Sequence, residues 1–128
     1  MNRRILVVDD EEVIRKGLII HLTKSGHEVV EAANGEEAIE RLKRDVFDLV
    51  ICDIMMPKKD GWEVLSFVRS QARTRDLPVI FLTGKSQDSD MIKGYEQGAN
   101  YYIPKPFTKS QLLFGVNLMF GKERNPLY

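Results

Sequence analysis

Among 128 residues there is one cysteine, one tryptophan and only two histidines. With Cys52 alone, no internal disulfide can form, and a reducing compartment such as the cytoplasm is expected. His21 and His27 lack cysteine companions and metal-ligand spacing, so they read as a helix residue and a turn residue. Net charge is lacking too. Nineteen basic and nineteen acidic residues cancel to a formal zero, with no block of one sign. The electrostatic footprint of a nucleic-acid binder is therefore missing. No apolar run approaches the length of a membrane span. Met1-Asn2-Arg3-Arg4 leads straight into an apolar run, so no signal peptide is expected. There is no glycine-rich phosphate loop, no GxGxxG and no GxSxG.

What is present suits one compact domain with a sizeable core, since 43% of the chain is apolar. Short β-rich runs alternate with helical patterns. Ile5 to Val8 reads as a buried strand, and Ile14, Leu18 and Leu22 follow at helical spacing up to a stop at Gly26. Glu28 to Ala33 reads as a second strand, nearer an edge, and Asn34-Gly35 as a turn. Glu36 to Arg44 is a charged surface helix with Ala38 and Leu42 facing inward. Leu49 to Cys52 forms a third strand and makes Cys52 a core thiol. Leu65, Val68 and Ala72 mark a third helix, and Trp62 at its start reads as a packing residue. Val79 to Leu82 is a fourth strand. A fourth helix carries Ile92 and Tyr95 and stops at Gly98. Tyr101 to Ile103 is a fifth strand, and a last helix runs from about Ser110 to Phe120. Five βα units with short connections imply parallel strands and right-handed crossovers.

Chemistry concentrates where the apolar runs end. Asp9-Asp10 follows ILVV, Asp53 follows LVIC, Thr83 follows VIFL and Lys105 follows YYIP. Each has an ordinary reading alone: a helix cap, a paired carboxylate, a turn, a surface lysine. An open α/β sheet, however, gathers its ligand site at the carboxyl ends of its strands. Jointly these residues put three carboxylates, a hydroxyl and an ammonium into one small pocket, a donor set for a metal ion and a phosphoryl group.

With the motifs ILVVDDEE, LVICDIMMPKKDG, VIFLTG and GANYYIPKPF in this order, the chain resembles the receiver domain of two-component response regulators, from Arg4 to about Phe120. The resemblance implies a (βα)5 flavodoxin-like, doubly wound fold, with a five-stranded parallel sheet in order 2-1-3-4-5 flanked by five helices. It implies a receiver domain over residues 1–121 with a tail at 122–128, acting as a switch and not as an enzyme. A sensor histidine kinase or histidine phosphotransfer protein would donate a phosphoryl group to Asp53. Mg²⁺ would be held by Asp10 directly, by Asp9 mostly through water, by Asp53, and by the Met55 carbonyl. Thr83 and Lys105 would bind phosphoryl oxygens, and the bond from Lys105 to Pro106 would be cis. Thr83 and Tyr102 would form the switch.

The face made by the fourth helix, fifth strand and last helix would then control a downstream protein target, an output domain or a homodimer. Two departures bear on that face: Asn100-Tyr101 stands where the family often has an acidic pair. Gln111 and Gly115 stand where many DNA-binding members carry Glu and Arg for dimer salt bridges. Leu112, Leu113, Val116, Met119 and Phe120 share one arc of the last helix, at 3.6 residues per turn. Phe114 and Leu118 project from the other side and, with Tyr101, mark a contact patch. The rival class is a Mg²⁺-dependent phosphatase with an aspartyl-phosphate intermediate, against which stands the absence of a DxDxT pattern around Asp53.

Overall fold

A computed structural model describes residues 3–84, 93 and 95–121. Five parallel strands form one sheet in the order β2-β1-β3-β4-β5. They are β1 (Arg4–Val8), β2 (Glu28–Ala32), β3 (Leu49–Asp53), β4 (Val79–Thr83) and β5 (Tyr101–Pro104). The connecting helices are α1 (Glu12–Lys24), α2 (Gly35–Arg44) and α3 (Gly61–Ser70), and a C-terminal helix spans Lys109–Phe120. Lys93, Tyr95 and Glu96 are helical as well, and Gly98 follows with φ +104. The rest of the expected fourth helix, Ile92 included, lies outside the described residues, as does the 122–128 tail.

Strand alternation divides the core into two layers. Leu6, Val8, Val50, Cys52, Val79 and Phe81 face α2 and α3. Ile5, Val7, Leu49, Ile51, Ile80 and Leu82 face α1 and the C-terminal helix. Because both faces are covered, the central strands are continuously apolar instead of alternating. Each large side chain buried this way contributes about 1.5–3 kcal/mol against the conformational entropy of ordering the chain.

Local signals set the helix ends. Asn34 caps α2 through its side chain, and Asp60 with Glu63 makes a capping box on α3. Gly26, φ +93, ends α1 as expected. One expectation fails: Ala72 is not on an inner helix face. It lies beyond α3, exposed, because the chain turns at Gln71. There the Thr74 hydroxyl donates to the Val68 carbonyl at 2.7 Å, satisfying a terminal helix acceptor that another helical turn would have covered.

The bottom of β5 is pinned by Arg69. Its guanidinium donates to the carbonyls of Gly98 (2.6 Å) and Leu77 (2.6 Å) and to Asn100 Oδ1 (2.7 Å). The same Asn100 oxygen accepts from the Val79 N–H at 2.9 Å. Asn100 thus ties the starts of β4 and β5 together, a structural use for the position that departs from the acidic pattern. Gln111 likewise serves the helix, in a capping box with Thr108. A Cβ on Gly115 would come within 3.1 Å of Ile103 and Tyr101 side-chain carbons, so those side chains would have to shift slightly to admit one.

Gly61 is required by close approach. A Cβ there would meet the Asp53 carbonyl oxygen at 2.6 Å and Ile54 Cα at 2.8 Å, both backbone atoms. The Gly61 N–H donates to the Ile54 carbonyl at 2.8 Å, closing the loop that follows β3. Gly61→Ala is therefore expected to destabilise the fold by about 1–3 kcal/mol, the usual range for overpacking. Urea unfolding checks this, and an unchanged midpoint would show that the loop yields freely.

Candidate functional site

The strand ends deliver the expected residues to one edge of the sheet. Asp9 follows β1, Asp53 and Thr83 are the last residues of β3 and β4, and Lys105 follows β5. Asp53 and Thr83 thus belong to their strands instead of lying just beyond them. A cleft of about 490 Å³ is lined by Asp10, Asp53, Met55, Thr83 and Lys105, together with Glu11. The Lys105–Pro106 bond is cis.

Asp9 is fully buried. Its Oδ1 accepts the Glu11 N–H at 2.9 Å, and its Oδ2 lies 3.0 Å from Lys105 Nζ. That Oδ2 has no well-aligned hydrogen bond. Lys105 Nζ is also 3.3 Å from Glu11 Oε1 and 3.4 Å from Asp53 Oδ1. The Lys105 backbone N–H donates to the Thr83 carbonyl at 2.6 Å, so the lysine is registered against β4 before its side chain reaches the carboxylates. Arg15, on α1, donates to the Asp9 carbonyl at 2.7 Å and pairs with Glu31 at 2.7 Å, which fixes the acidic loop from behind.

Burial raises the Asp53 pKa from 3.8 to about 6; Lys105 opposes the rise, while Asp9 and Asp10 add to it. Burial alone would lower the pKa of Lys105, but the close contact with Asp9 and the charges of Asp53 and Asp9 outweigh it and hold it above its ordinary value. Cys52 beneath the site is buried, and that burial pushes its thiol well up, leaving it an inert core group.

One carboxylate oxygen each from Asp9, Asp10 and Asp53 lies within 4.8 Å of the others. Hard oxygen donors, one of them buried without an aligned donor, fit a small divalent cation that keeps part of its water. Asp10 is exposed in the cleft, while Asp9 is already engaged by Lys105 and the Glu11 amide. Met55, exposed, lines the same cleft.

Tyr102 is buried, away from the cleft, on the layer shared with Phe81. Trp62 meets Phe81 edge-on at 5.2 Å between ring centroids. Phe81 meets Tyr102 at 5.7 Å, and Tyr102 meets Tyr95 at 5.1 Å. Phe81 is two residues before Thr83 on the same strand. Tyr101 lies on the opposite layer, and Phe114 and Leu118 are 61% and 50% exposed. Glu11 and Arg15 are site residues that the sequence reading passed over. The second acidic pair in DDEE was the available signal for Glu11; Arg15 carried none beyond its place one turn into α1.

A five-stranded 2-1-3-4-5 sheet with an acidic triad and a lysine at its strand ends defines a flavodoxin-like receiver. The family model for the response regulator receiver domain matches residues 5–117, and the chain belongs to this family. It is 41% identical over 112 residues to the alkaline phosphatase synthesis transcriptional regulatory protein PhoP of Bacillus subtilis, covering 88% of this chain and 46% of that one. It is 38% identical over 122 residues to the phosphate regulon transcriptional regulatory protein PhoB of Klebsiella pneumoniae, covering 95% and 53%. The chain thus spans about half the length of the curated relatives it matches. The chemotaxis response regulator CheY4 of Vibrio cholerae superposes with a TM-score of 0.89 at 31% identity, covering 93% of this chain and 99% of that one. The receiver domain of the sensor histidine kinase PA1611 of Pseudomonas aeruginosa, whose structure has a magnesium ion coordinated in its active-site cleft, gives 0.86 at 27% identity, covering 94% and 99%.

The receiver is a phosphorylation-activated signalling switch. Among the described residues no helix is long and apolar enough to cross a membrane.

Burying Asp53, with other carboxylates beside it, has a measurable cost. Because the folded-state pKa of Asp53 is raised, its ionised form disfavours the folded state, and the folded chain takes up a proton between 3.8 and about 6. In excess chelator, Asp53→Asn is expected to raise the melting temperature by a few degrees at about pH 7.5, with the gain shrinking as pH falls through that window. Calorimetry checks this. A lowered melting temperature at about pH 7.5 would mean that pairing with Lys105 outweighs burial and repulsion together.

Proposed function

We propose that Asp53 accepts a phosphoryl group from a sensor histidine kinase or a histidine phosphotransfer protein in the cytoplasm. The observation that carries this reading is the Lys105 ammonium set between Asp9 and Asp53, 3.0 and 3.4 Å away, at the mouth of a cleft that Thr83 also lines. A carboxylate is nucleophilic without a general base, and phosphoryl transfer asks mainly for positioning and charge neutralisation. An Asp53 oxygen attacks phosphorus. The P–N bond of a phosphohistidine breaks, and its electron pair leaves on the imidazole. Lys105 and the Thr83 hydroxyl receive phosphoryl oxygens. Asp9, Asp10, Asp53 and the Met55 carbonyl would hold Mg²⁺, which supplies further positive charge for the transferred group.

Thr83 is the natural link to Tyr102 through Phe81, and thence to the face formed by Tyr101, Phe114 and Leu118. That face would bind a downstream protein, an output domain or a second copy of the chain, with phosphorylation tuning its affinity. The salt-bridged dimer of DNA-binding relatives is disfavoured by Gln111 and Gly115, which carry no charge for such salt bridges. No catalytic turnover of a separate substrate is assigned to the chain. The relatives and structures named above are regulators or receiver domains, and none supports the phosphatase alternative.

Incubation with a small phosphodonor and Mg²⁺ is expected to add one phosphoryl group to the wild-type chain and none to Asp53→Asn, read by mass spectrometry. Equal labelling of the variant removes Asp53 from its role. Asp10→Asn is expected to weaken Mg²⁺ binding about tenfold or more, and further than Asp9→Asn, by titration calorimetry. For the signalling face, Phe114→Ala with Leu118→Ala is expected to weaken partner binding while changing stability by only about 0.5 kcal/mol, as for exposed positions. A large loss of stability would make the two residues core.

A further inference from the structure

Glu11 occupies the N-cap position of α1, yet its side chain makes no capping hydrogen bond. Its own N–H is instead accepted by Asp9 Oδ1, and its carboxylate turns to Lys105, 94 residues away in sequence, at 3.3 Å. Lys105 therefore has three anionic partners within 3.4 Å. They are not equivalent. Asp9 and Asp53 are buried at strand ends and cannot withdraw, whereas the Glu11 side chain is 63% exposed at the mouth of the cleft. A phosphoryl group arriving at Asp53 brings its own negative charge to the same ammonium. Glu11 is the partner that can yield, and until it does it repels the incoming anion.

We propose that Glu11 is a positioning residue that holds Lys105 in the resting site and selects phosphodonors by charge. This deepens the reading of Asp53 as phosphoacceptor and rests on it. A donor whose leaving group carries positive charge meets less repulsion at the cleft mouth than a fully dianionic one. Phosphoramidate and acetyl phosphate represent the two classes. With phosphoramidate, an Asp53 oxygen bonds to phosphorus, the P–N bond breaks, and ammonia departs with the electron pair from nitrogen already protonated. With acetyl phosphate, the same O–P bond forms, the P–O bond to the acetyl oxygen breaks, and acetate departs with the pair. The first donor enters with one net negative charge and the second with two.

Initial phosphorylation rates with both donors, in Mg²⁺ and by intact-mass spectrometry, are compared for wild type, Glu11→Gln and Glu12→Gln. Glu12 is an exposed carboxylate in the first turn of α1 and controls for the general field. The ratio of the acetyl phosphate rate to the phosphoramidate rate is expected to rise about tenfold in Glu11→Gln, the low end of electrostatic steering, and to stay near wild type in Glu12→Gln. An unchanged ratio in Glu11→Gln, or an equal rise in Glu12→Gln, overturns the proposal.

A second readout needs no phosphoryl transfer. Acylation of the Lys105 amine by a small neutral anhydride, followed by peptide mass spectrometry, is expected to quicken several-fold in Glu11→Gln alone. If labelling does not change, Glu11 does not hold Lys105. If no variant and no wild-type chain takes a phosphoryl group from either donor, the Asp53 reading falls, and the donor selection built on it falls too.

Discussion

One ammonium makes this site foldable. Asp9 is wholly buried and Asp53 nearly so, the first directly after the apolar run Ile5 to Val8 and the second at the end of the apolar run Leu49 to Cys52. Two carboxylates so close repel, and desolvation pushes Asp53 toward the neutral acid. Lys105 reaches them at 3.0 and 3.4 Å and retains its own proton because they are there. The compensation is incomplete, as the raised pKa of Asp53 records. What remains is a pocket with an excess of negative charge, stable enough to exist and receptive to a cation.

The sheet supplies the geometry for that balance. A parallel arrangement sends every strand in the same direction, so the loops after β1, β3, β4 and β5 open on one edge. Side chains on either side of the sheet then serve different ends. Asp53 continues the row of Leu49 and Ile51, against α1 and the C-terminal helix. Thr83 continues the row of Val79 and Phe81, against α3 and beside Tyr102. The hydroxyl in the cleft is therefore backed by an aromatic layer, and the carboxylate by an aliphatic one.

The strand-end residues were legible because each chemical group stood directly after an unbroken apolar run, and a fully covered parallel sheet leaves that pattern in sequence. The outward pair Phe114 and Leu118 was legible from helical period alone. Glu11 was not, because its partner is distant in the chain and its place in DDEE does not by itself separate it from a solvent-facing acid. Arg15 was hidden for the same reason: its value lies in reaching the Asp9 carbonyl and Glu31 at once. Ala72 misled because its spacing from Leu65 and Val68 fits a helix, whereas the Thr74 hydroxyl takes over the Val68 carbonyl and lets the chain turn away. Competition between a side-chain acceptor match and one more helical turn is a tertiary decision, invisible to periodicity.

Trp62 stands one residue past Gly61, whose missing side chain leaves room for the Asp53 carbonyl, and at the head of the ring series leading through Phe81 to Tyr102 and Tyr95. The Lys93 ammonium lies over its indole at 4.7 Å. Since no other tryptophan exists in the chain, all indole emission originates at this point. The protein thus carries a built-in optical gauge. Its light comes from the junction of the acidic cleft and the aromatic layer, and changes of charge on one side or of ring packing on the other both register in its colour and brightness.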